Sequence, residues 1–450
     1  MSDLELLLES EIPEPFNITV YYDYKHGCYW KQDARGVWIT IPEASVRRFL
    51  KEAGFSAKAF PGQTLSEIDA RFNEIQRASS VDYSGPLAGY NIGVYEICGN
   101  RVLVTSSPAL IKPAEGEWRT IRSFLENLIG DPDHDQFHYL VGWLKVATEC
   151  LASGNNRPGQ ALVLAGPAGS GKSLLQNLIT QLLGGRSAKP YRYMSGATQF
   201  NADLFYAEHQ MIEDDVSSTD IRSRRHFGSH VKQFAVNQTQ SCHPKGQTAI
   251  SLTPFWRVSI SVNEEPENLM ILPVLDESLQ DKVMLLKTNK CDMPMPVGTI
   301  EQRNAFWAAL TSELPAFLHF LNTYEIPSEL KDDRYGVAHF HHPDLLAAMD
   351  DLAPEIRLLS LMDQCLWQEE IGEGKLKVKK NNPLTFTAEG LEALLTCSQF
   401  SNEVKKLLGW NNAIGTYLGR LAKKFPERVQ PNRTAASRGW KIFRPTLGQH

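Results

Sequence analysis

The sequence predicts an α/β core built on a parallel β-sheet, preceded by a small α+β module and a helical collar and followed by a winged-helix-like C-terminal domain. Two observations predict the core. Strand-like and helix-like segments alternate from residue 160 to about 290, an order typical of parallel sheets. Within this region a buried apolar strand at 161–165 is followed by a glycine-rich turn and then by helical spacing over 173–183.

Residues 1–115 are predicted to form the α+β module, with an accessory or oligomerising role. Short β-branched and aromatic runs at 17–22 and 37–41 indicate strands, and the spacing over 43–53 indicates a helix. The apolar period then becomes 3.6 residues, which predicts a helical collar over 116–155.

The other predicted domains are the α/β core at 156–300, a helical segment that completes this region at 301–374, and a basic C-terminal domain at 375–450. The C-terminal domain has three helical segments followed by turn residues and two short strands. This order predicts a winged-helix-like unit.

The charge of the chain is unevenly distributed. The 450 residues carry a net charge of −6, yet residues 371–450 contain 14 Lys/Arg and 5 Asp/Glu, a net charge of +9. The remaining residues carry −15. A basic module on an acidic body favours nucleic acid as the partner of the C-terminal domain.

The cysteines and the apolar runs indicate the compartment. Seven scattered cysteines without a Cys-x-x-Cys pair argue against a zinc ribbon or a disulfide framework and favour a reducing compartment. No apolar run approaches the roughly 20 residues that span a bilayer, and the first residues lack the positive start of a signal peptide. We therefore expect a cytoplasmic protein that does not associate with membranes.

The turn after the predicted strand matches the phosphate-binding pattern G-x-x-x-x-G-K-S/T. In this P-loop, glycines turn backbone N–H groups toward phosphate oxygens, Lys172 supplies a charge to the β- and γ-phosphates, and the Ser173 hydroxyl is a ligand for Mg²⁺. The predicted nucleotide-binding residues are Gly166, Pro167, Ala168, Gly169, Ser170, Gly171, Lys172 and Ser173. The pattern predicts a nucleoside-triphosphate hydrolase with ATP and Mg²⁺ as cofactors; the alternative is a fortuitous glycine-rich turn.

A P-loop enzyme also needs a carboxylate at the tip of a neighbouring strand to hold Mg²⁺ and activate water. The run Glu213-Asp214-Asp215 follows a short predicted strand. Asp214 is the predicted metal ligand and Asp215 the predicted water-activating acid, with Glu213 an alternative for either role. Without the P-loop, such a run would be an ordinary acidic surface.

A third predicted strand ends at Asn263. An amide at this place can hydrogen-bond the γ-phosphate or the attacking water. The alternative is an ordinary asparagine at the end of a strand.

In order and spacing, residues 166–173, 213–215 and 261–263 resemble superfamily 3 helicases. This AAA+ branch is found in small DNA viruses, phages, their satellites and plasmids, and it includes the poxvirus-type primase-helicases. The resemblance covers 161–287. It implies an AAA+ core, hydrolysis of ATP, and DNA unwinding in replication by a hexameric ring that encloses single-stranded DNA.

The family carries a hairpin with a basic tip that touches single-stranded DNA, between the acidic run and the asparagine strand. Here the interval contains a turn with His243 and Lys245 at its tip, flanked by 234–236 and 249–252. The resemblance implies that Lys245 contacts the translocated strand, with a plain solvated turn as the alternative.

The family also has an arginine finger shortly after the asparagine, which reaches the nucleotide of a neighbouring subunit. This sequence departs from that pattern, since no arginine lies between Asn263 and Arg303. Lys282 occupies the expected place, although lysine lacks the bidentate fork of arginine. The other candidates are Arg222, Arg224, Arg225 and Arg257; alternatively, hydrolysis is weak.

The basic C-terminal domain has a helix-turn-helix layout in which 413–424 is the candidate recognition helix and 432–440 a candidate wing. Basic and polar side chains in such a helix reach bases and phosphates. The candidate DNA-binding residues are Thr416, Tyr417, Arg420, Lys423, Lys424, Arg433 and Arg438. Duplex DNA is the expected partner of this domain, and a basic module that binds protein is the alternative.

The leading hypothesis is therefore an ATP-dependent DNA helicase or translocase of a phage or mobile element. The first alternative is a nucleotide-gated DNA-binding ATPase, such as a replication initiator or a defence factor, that does not unwind processively. The second is a P-loop regulator whose basic domain binds protein.

Overall fold

The computed structural model divides the chain into two units between His342 and Pro343. The residues that it describes are 19–155, 157–213, 221–269, 271–273, 275, 277–290, 292–351, 354–367, 382–433 and 438–444. Within these ranges, no helix has the length and apolar character needed to cross a bilayer.

The N-terminal module contains two small sheets. The first consists of β1 (Val20–Asp23), β2 (Cys28–Gln32), β3 (Trp38–Ile41) and β4 (Ser80–Val81), in the order β3-β2-β1-β4. The second consists of β5 (Tyr83–Gly85), β6 (Gly93–Ile97) and β7 (Asn100–Val104), in the order β5-β7-β6. Helices α1 (Glu43–Glu52) and α2 (Glu67–Ala78) pack on the first sheet. Residues 17 and 18 of the first predicted strand lie outside the described ranges.

The predicted collar consists of α3 (Arg119–Ile129) and α4 (Gln136–Ser153). The carboxylate of Glu313 accepts the backbone N–H groups of Thr120 and Ile121 at 3.1 and 2.9 Å, which satisfies donors in the first turn of α3. Helix α4 ends at Gly154, whose φ of 66° lies in the left-handed region. Both helices contribute buried apolar side chains to the largest core of this unit.

The strands of the core are β8 (Ala161–Ala165), β9 (Ser187–Ala188), β10 (His209–Ile212), β11 (Gln240–Cys242), β12 (Ile250–Leu252), β13 (Arg257–Val262) and β14 (Val283–Lys287). Strands β11 and β12 form an antiparallel hairpin. The other five form a parallel sheet in the order β14-β8-β13-β10-β9. Every residue of β8, β10 and β13 is buried, as expected when helices cover both faces of a parallel sheet. The predicted α/β core is confirmed.

The helices of the core region are α5 (Lys172–Leu182), α6 (Tyr191–Met194), α7 (Ile221–Val236), α8 (Pro266–Leu269), α9 (Ile300–Ser312) and α10 (Leu314–Thr323). Helix α10 contacts α4, and α9 contacts α3 and α5, so these helices close the core around the collar. Residues 234–236, expected to flank the basic hairpin, instead form the last turn of α7.

The second unit contains α11 (Pro343–Asp351), α12 (Pro354–Leu366), β15 (Leu384–Phe386), α13 (Ala388–Thr396), α14 (Ser401–Leu407), α15 (Ala413–Lys424), β16 (Val429–Arg433) and β17 (Arg438–Ile442). Its three strands pair in the antiparallel order β15-β17-β16. The unit begins at Pro343 rather than at 375, because α12 buries Leu358, Leu361 and Met362 in the same core as α13 and α15.

Candidate nucleotide site and nucleic-acid surfaces

The loop of residues 166–171 joins the carboxyl end of β8 to α5. Gly169 and Gly171 have φ values of 74° and 108°, in a region that side-chain-bearing residues rarely adopt. A Cβ atom on Gly166 would lie 2.2 Å from the carbonyl oxygen of Thr288. Glycine is therefore required at three positions of this loop, for conformation at two and for space at the third.

Lys172 is the first residue of α5, and it is 5% exposed. Its Nζ atom donates to the carbonyl oxygens of Gly166 and Pro167 at 2.7 and 2.9 Å, and to Oδ1 of Asn263 at 3.0 Å. The structure thus brings together the loop lysine and the asparagine that follows β13. Their shared position is the carboxyl edge of the sheet, where parallel α/β folds bind ligands.

The next residues of α5 have different environments. Ser173 is exposed. Gln176 is buried, and its Nε2 atom donates to the carbonyl oxygen of Ile212 at 3.1 Å and to Oγ of Ser259 at 2.9 Å. These bonds join α5 to β10 and β13, the two strands that precede the other predicted site residues.

The rest of the loop alternates between buried and exposed positions. Pro167 is half-buried, and Ala168 and Gly169 are exposed. Ser170 is buried, with its Oγ atom 3.2 Å from Oγ1 of Thr288. Because Thr288 follows β14, the loop is held from the edge strand of the sheet as well as from its own strand.

The acidic run begins directly after β10. The carboxylate of Glu213 pairs with Lys189 at 2.5 Å. Asp214 and Asp215 lie outside the described residues. The acidic run was expected at the tip of a strand next to β8, and this expectation is corrected because β13 lies between β8 and β10. The two strands adjacent to β8 are β14 and β13, and Asn263 directly follows β13.

A buried histidine precedes the acidic run on β10. Nδ1 of His209 lies 2.7 Å from Oγ1 of Thr180, and Nε2 of His209 lies 2.7 Å from Oγ of Ser259. Burial lowers the pKa of His209 to about 3, so the ring is neutral at physiological pH. Sequence reasoning missed this residue, whose signal was a histidine at the start of a short strand that ends in the apolar pair Met211-Ile212.

Glu265 is a second residue that sequence reasoning missed. It follows Asn263 by two positions, and its own backbone N–H and the side chain of Asn268 hold the pKa of the carboxyl below its usual range, with a smaller contribution from the charge of Lys172. The edge of the sheet beside the loop lysine therefore carries negative charge.

The predicted basic turn is a hairpin loop between β11 and β12. Lys245 is exposed in this loop, which spans residues 243–249. His243 is half-buried: its backbone N–H donates to Oδ1 of Asn201 at 2.8 Å, and its ring packs edge-on at 5.3 Å from the ring of Phe200. The loop thus has an anchored base and an exposed lysine.

The hairpin also contacts the N-terminal module. The side-chain amide nitrogen of Gln247 lies 3.0 Å from Nε2 of His26, in the turn between β1 and β2. The amide of Asn100 donates to the carbonyl oxygen of Ser251 at 3.1 Å. The N-terminal module, whose role the sequence leaves open, is therefore in contact with both the loop and a strand of the hairpin.

Two of the candidates for a finger, Lys282 and Arg257, are held inside the first unit. Lys282 is 6% exposed, and its ammonium lies 2.5 Å from Oδ1 of Asp281, at the amino end of β14. Arg257 is 2% exposed, donates to the carbonyl oxygens of Trp256 and Arg157 at 3.0 Å each, and has its pKa lowered to about 10 by burial. Burial excludes Arg257 as a finger in this arrangement, and a finger role for Lys282 stays a prediction that requires its ion pair to open. The structure does not describe the side chains of Arg222, Arg224 and Arg225.

Helix α15 of the second unit carries both exposed and partly buried candidate DNA-binding residues. Lys423 and Lys424 are exposed in its last turn. Arg420 is also exposed, and its guanidinium pairs with Glu355 of α12 at 3.2 Å. Thr416 is half-buried. Three of the predicted basic contacts therefore lie on the surface, one of them in an ion pair.

One residue of the candidate recognition helix is corrected. Tyr417 is 4% exposed, and its ring packs edge-on at 5.9 Å from that of Trp410. It is a core residue because it shares the inward face of α15 with leucines. Arg433 and Arg438 form the last pair of the β16–β17 ladder, and their side chains lie outside what the structure describes.

A family model described as a family of unknown function (DUF5906) matches residues 164–278, from the end of β8 to beyond α8. The matched stretch is a minority of the chain, although it includes the loop, the acidic run and Asn263. No protein of curated function matches the chain.

Solved structures share the fold. The apo structure of the NrS-1 C-terminal region has a TM-score of 0.55 and 15% identity, and the match covers 95% of this chain and 96% of that one. An A-form apo structure of the same region has a TM-score of 0.53 and 14% identity, covering 95% and 97%. The active helicase Cch of SCCmec type IV has a TM-score of 0.30 and 12% identity, covering 91% and 74%, and this TM-score is too low to indicate a shared fold. The fold and the site define an α/β protein with a glycine-rich loop at the edge of a parallel sheet. Its fold is similar to that of the NrS-1 C-terminal region.

Proposed function

We propose that this protein is a Mg²⁺-dependent ATP hydrolase that drives a DNA helicase or translocase of superfamily 3 type, acting as a hexameric ring in the replication of a phage or mobile element. The observation that carries the proposal is the contact of Lys172 with Asn263 at 3.0 Å. It unites two separately predicted elements of a hydrolytic site at the carboxyl edge of the sheet.

The side chains of this site have distinct roles in the proposal. Lys172 exchanges its carbonyl acceptors for phosphate oxygens, which are stronger acceptors because they are charged. Asn263 would orient the γ-phosphate or the attacking water. Ser173 and Asp214 would hold Mg²⁺, which neutralises phosphate charge, and Asp215 would activate water.

The hairpin provides the contact to the translocated strand. Lys245 is an exposed cation on a loop whose base is fixed by Asn201. Such a lysine binds a phosphate without reading sequence. The ring and its single-stranded substrate follow from the family resemblance, and the exposed loop supports them.

The second unit provides the contact to duplex DNA. Its helices, followed by the β16–β17 ladder, have the order of a winged helix, and α15 carries the exposed Arg420, Lys423 and Lys424. In this proposal α15 is the recognition helix, Thr416 is a polar contact, and Arg433 and Arg438 lie in the wing.

A second function is favoured by the surroundings of two finger candidates. Lys282 is paired with Asp281, and Arg257 is buried. A nucleotide-gated DNA-binding ATPase, which assembles on DNA as an initiator or defence factor without processive unwinding, needs no fast hydrolysis in a neighbouring subunit's site. The paired Lys282 and the buried Arg257 are compatible with this nucleotide-gated function.

Strand displacement on a forked DNA substrate separates the two functions. The Lys245→Ala variant should lose unwinding and retain basal ATP hydrolysis, because the hairpin loop lies outside the nucleotide site. Lys331→Ala removes another exposed lysine of the same unit and is the matched control. Unwinding by Lys245→Ala at the wild-type rate would contradict the hairpin mechanism. If the wild-type protein binds DNA in an ATP-dependent manner but does not displace a strand, the second function is correct.

A further inference from the structure

A cluster of three potential metal ligands shares no residue with the loop or the hairpin. Asp131 and His134 are in the segment between α3 and α4, and His342 is the last residue of the first unit. The Asp131 carboxylate lies 2.9 Å from Nε2 of His342 and 3.3 Å from Nδ1 of His134. The two imidazole rings are 5.0 Å apart between centroids.

Two of these residues are held in place by hydrogen bonds that involve the backbone. Oδ1 of Asp131 accepts the backbone N–H groups of Asp133 and His134 at 2.8 and 3.0 Å. The backbone N–H of His342 donates to the carbonyl oxygen of Leu285 in β14 at 3.0 Å, which fixes a histidine that is 1% exposed. Outer contacts of this kind orient the ligands of metal sites.

We propose that Asp131, His134 and His342 bind a transition-metal ion, with Zn²⁺ as the best match. Two imidazole nitrogens and one carboxylate oxygen form a donor set that suits zinc, with three protein ligands and a fourth position for water. Hard cations such as Mg²⁺ prefer oxygen ligands, so this cluster is chemically distinct from the Mg²⁺ position proposed at the loop.

The spacing of the ligand atoms requires only a small adjustment. The three atoms lie within 4.8 Å of one another. Zinc–ligand bonds of about 2.0–2.2 Å separate the ligand atoms of a tetrahedral site by roughly 3.4 Å. Rotation of the His134 side chain can bring its nitrogen to the required distance, because this side chain is 33% exposed. The side chain of His342 is buried and does not need to move. The exposed side of His134 also gives the ion and a water molecule access.

The ion would join two distant parts of the first unit. His342 lies 211 positions after Asp131 and belongs to the segment that pairs with β14. A bound ion therefore connects the segment before α4 to the edge of the central sheet and stabilises the folded state by mass action. The competing interpretation is a hydrogen-bonded Asp–His pair that has no affinity for metals.

Metal binding to the full-length protein, stripped with a chelator and free of nucleotide, separates these interpretations. Co²⁺ is the spectroscopic probe, because a tetrahedral site with nitrogen and oxygen ligands gives visible absorption without the thiolate charge-transfer band that cysteine ligands would produce. Calorimetry with Zn²⁺ gives the stoichiometry. His134→Gln changes a half-exposed ligand at little risk to folding, and Asp131→Asn tests the central carboxylate. His339→Gln is the matched control, since it changes an exposed histidine in the same segment as His342.

We expect one equivalent of metal per chain, Co²⁺ spectra without thiolate bands, and at least about tenfold weaker binding in His134→Gln and Asp131→Asn, as is typical when a ligand or its support is lost. His339→Gln should bind as the wild type does. The absence of saturable Zn²⁺ binding, or affinity unchanged in His134→Gln, would overturn the proposal and leave the cluster as a hydrogen-bonded pair. Circular dichroism of each variant checks that a loss of binding is not a loss of fold.

Discussion

Replacing His209 by glutamine should remove an acid-sensitive step from the stability of the first unit. The histidine is neutral in the folded state because burial lowers its pKa to about 3, whereas an unfolded histidine titrates near about 6.5. Between these values the unfolded state binds a proton and the folded state does not, so stability is lost as the pH falls below about 6.5. At about pH 5 the expected loss in the free energy of unfolding, relative to neutral pH, is about 2 kcal/mol. This loss depends on the pKa of histidine in the unfolded state, because the pKa in the folded state lies well below the pH of the experiment.

The assay is chemical unfolding of the wild type and of His209→Gln at about pH 7.5 and about pH 5. Glutamine retains a group that can hydrogen-bond Thr180 or Ser259, so the variant should fold, although with lower stability at neutral pH. The stability difference between the two proteins should narrow by about 2 kcal/mol at the lower pH. His339→Gln, at an exposed position, should preserve the wild-type pH dependence. An equal difference at both pH values would show that folding does not lower the pKa of His209.

Three further outcomes are expected. Gly166→Ala should lower nucleotide affinity by an order of magnitude or more, measured with a fluorescent ATP analogue, because its Cβ would lie 2.2 Å from a carbonyl oxygen and displace the loop; wild-type affinity would contradict this. Glu208→Gln should destabilise the first unit by about 3–5 kcal/mol in chemical unfolding, because it removes the buried negative charge that pairs with Arg186; a change below about 1 kcal/mol would show that the ion pair contributes little. The double variant Lys423→Ala, Lys424→Ala should weaken duplex DNA binding and reduce the slope of log K against log salt by about 1.8, and an unchanged slope would indicate that α15 does not touch phosphates.

The local features of the core were predictable from the sequence because they depend on neighbouring residues. The apolar run of β8, the glycines after it and the helical spacing of α5 are all encoded within about 20 residues, and each was predicted nearly to its observed bounds. The contact between Lys172 and Asn263 was also foreseeable, since both residues follow the carboxyl ends of parallel strands. That both residues lie at the carboxyl edge of the sheet could be expected without knowing the strand order.

Features that depend on distant parts of the chain were not predictable. The insertion of β13 beside β8 is a matter of long-range pairing, and a hydrophobic run does not reveal its neighbour. The burial of Lys282 was not predictable for the same reason. It depends on where β14, the strand that starts directly after Lys282, lies in the sheet. The burial of Tyr417, by contrast, was predictable, because its spacing to Ile414, Leu418 and Leu421 places it on the apolar face of α15.

The proposed function requires that the site at Lys172 hydrolyses ATP in response to DNA. Steady-state ATP hydrolysis by the 450-residue chain, with and without single-stranded DNA, measures this response. Lys172→Ala is the inactive reference and Lys331→Ala the matched control, which should behave as the wild type. We expect hydrolysis that depends on Lys172 and rises several-fold with single-stranded DNA. Wild-type hydrolysis no faster than that of Lys172→Ala, with DNA present, would contradict the proposed function.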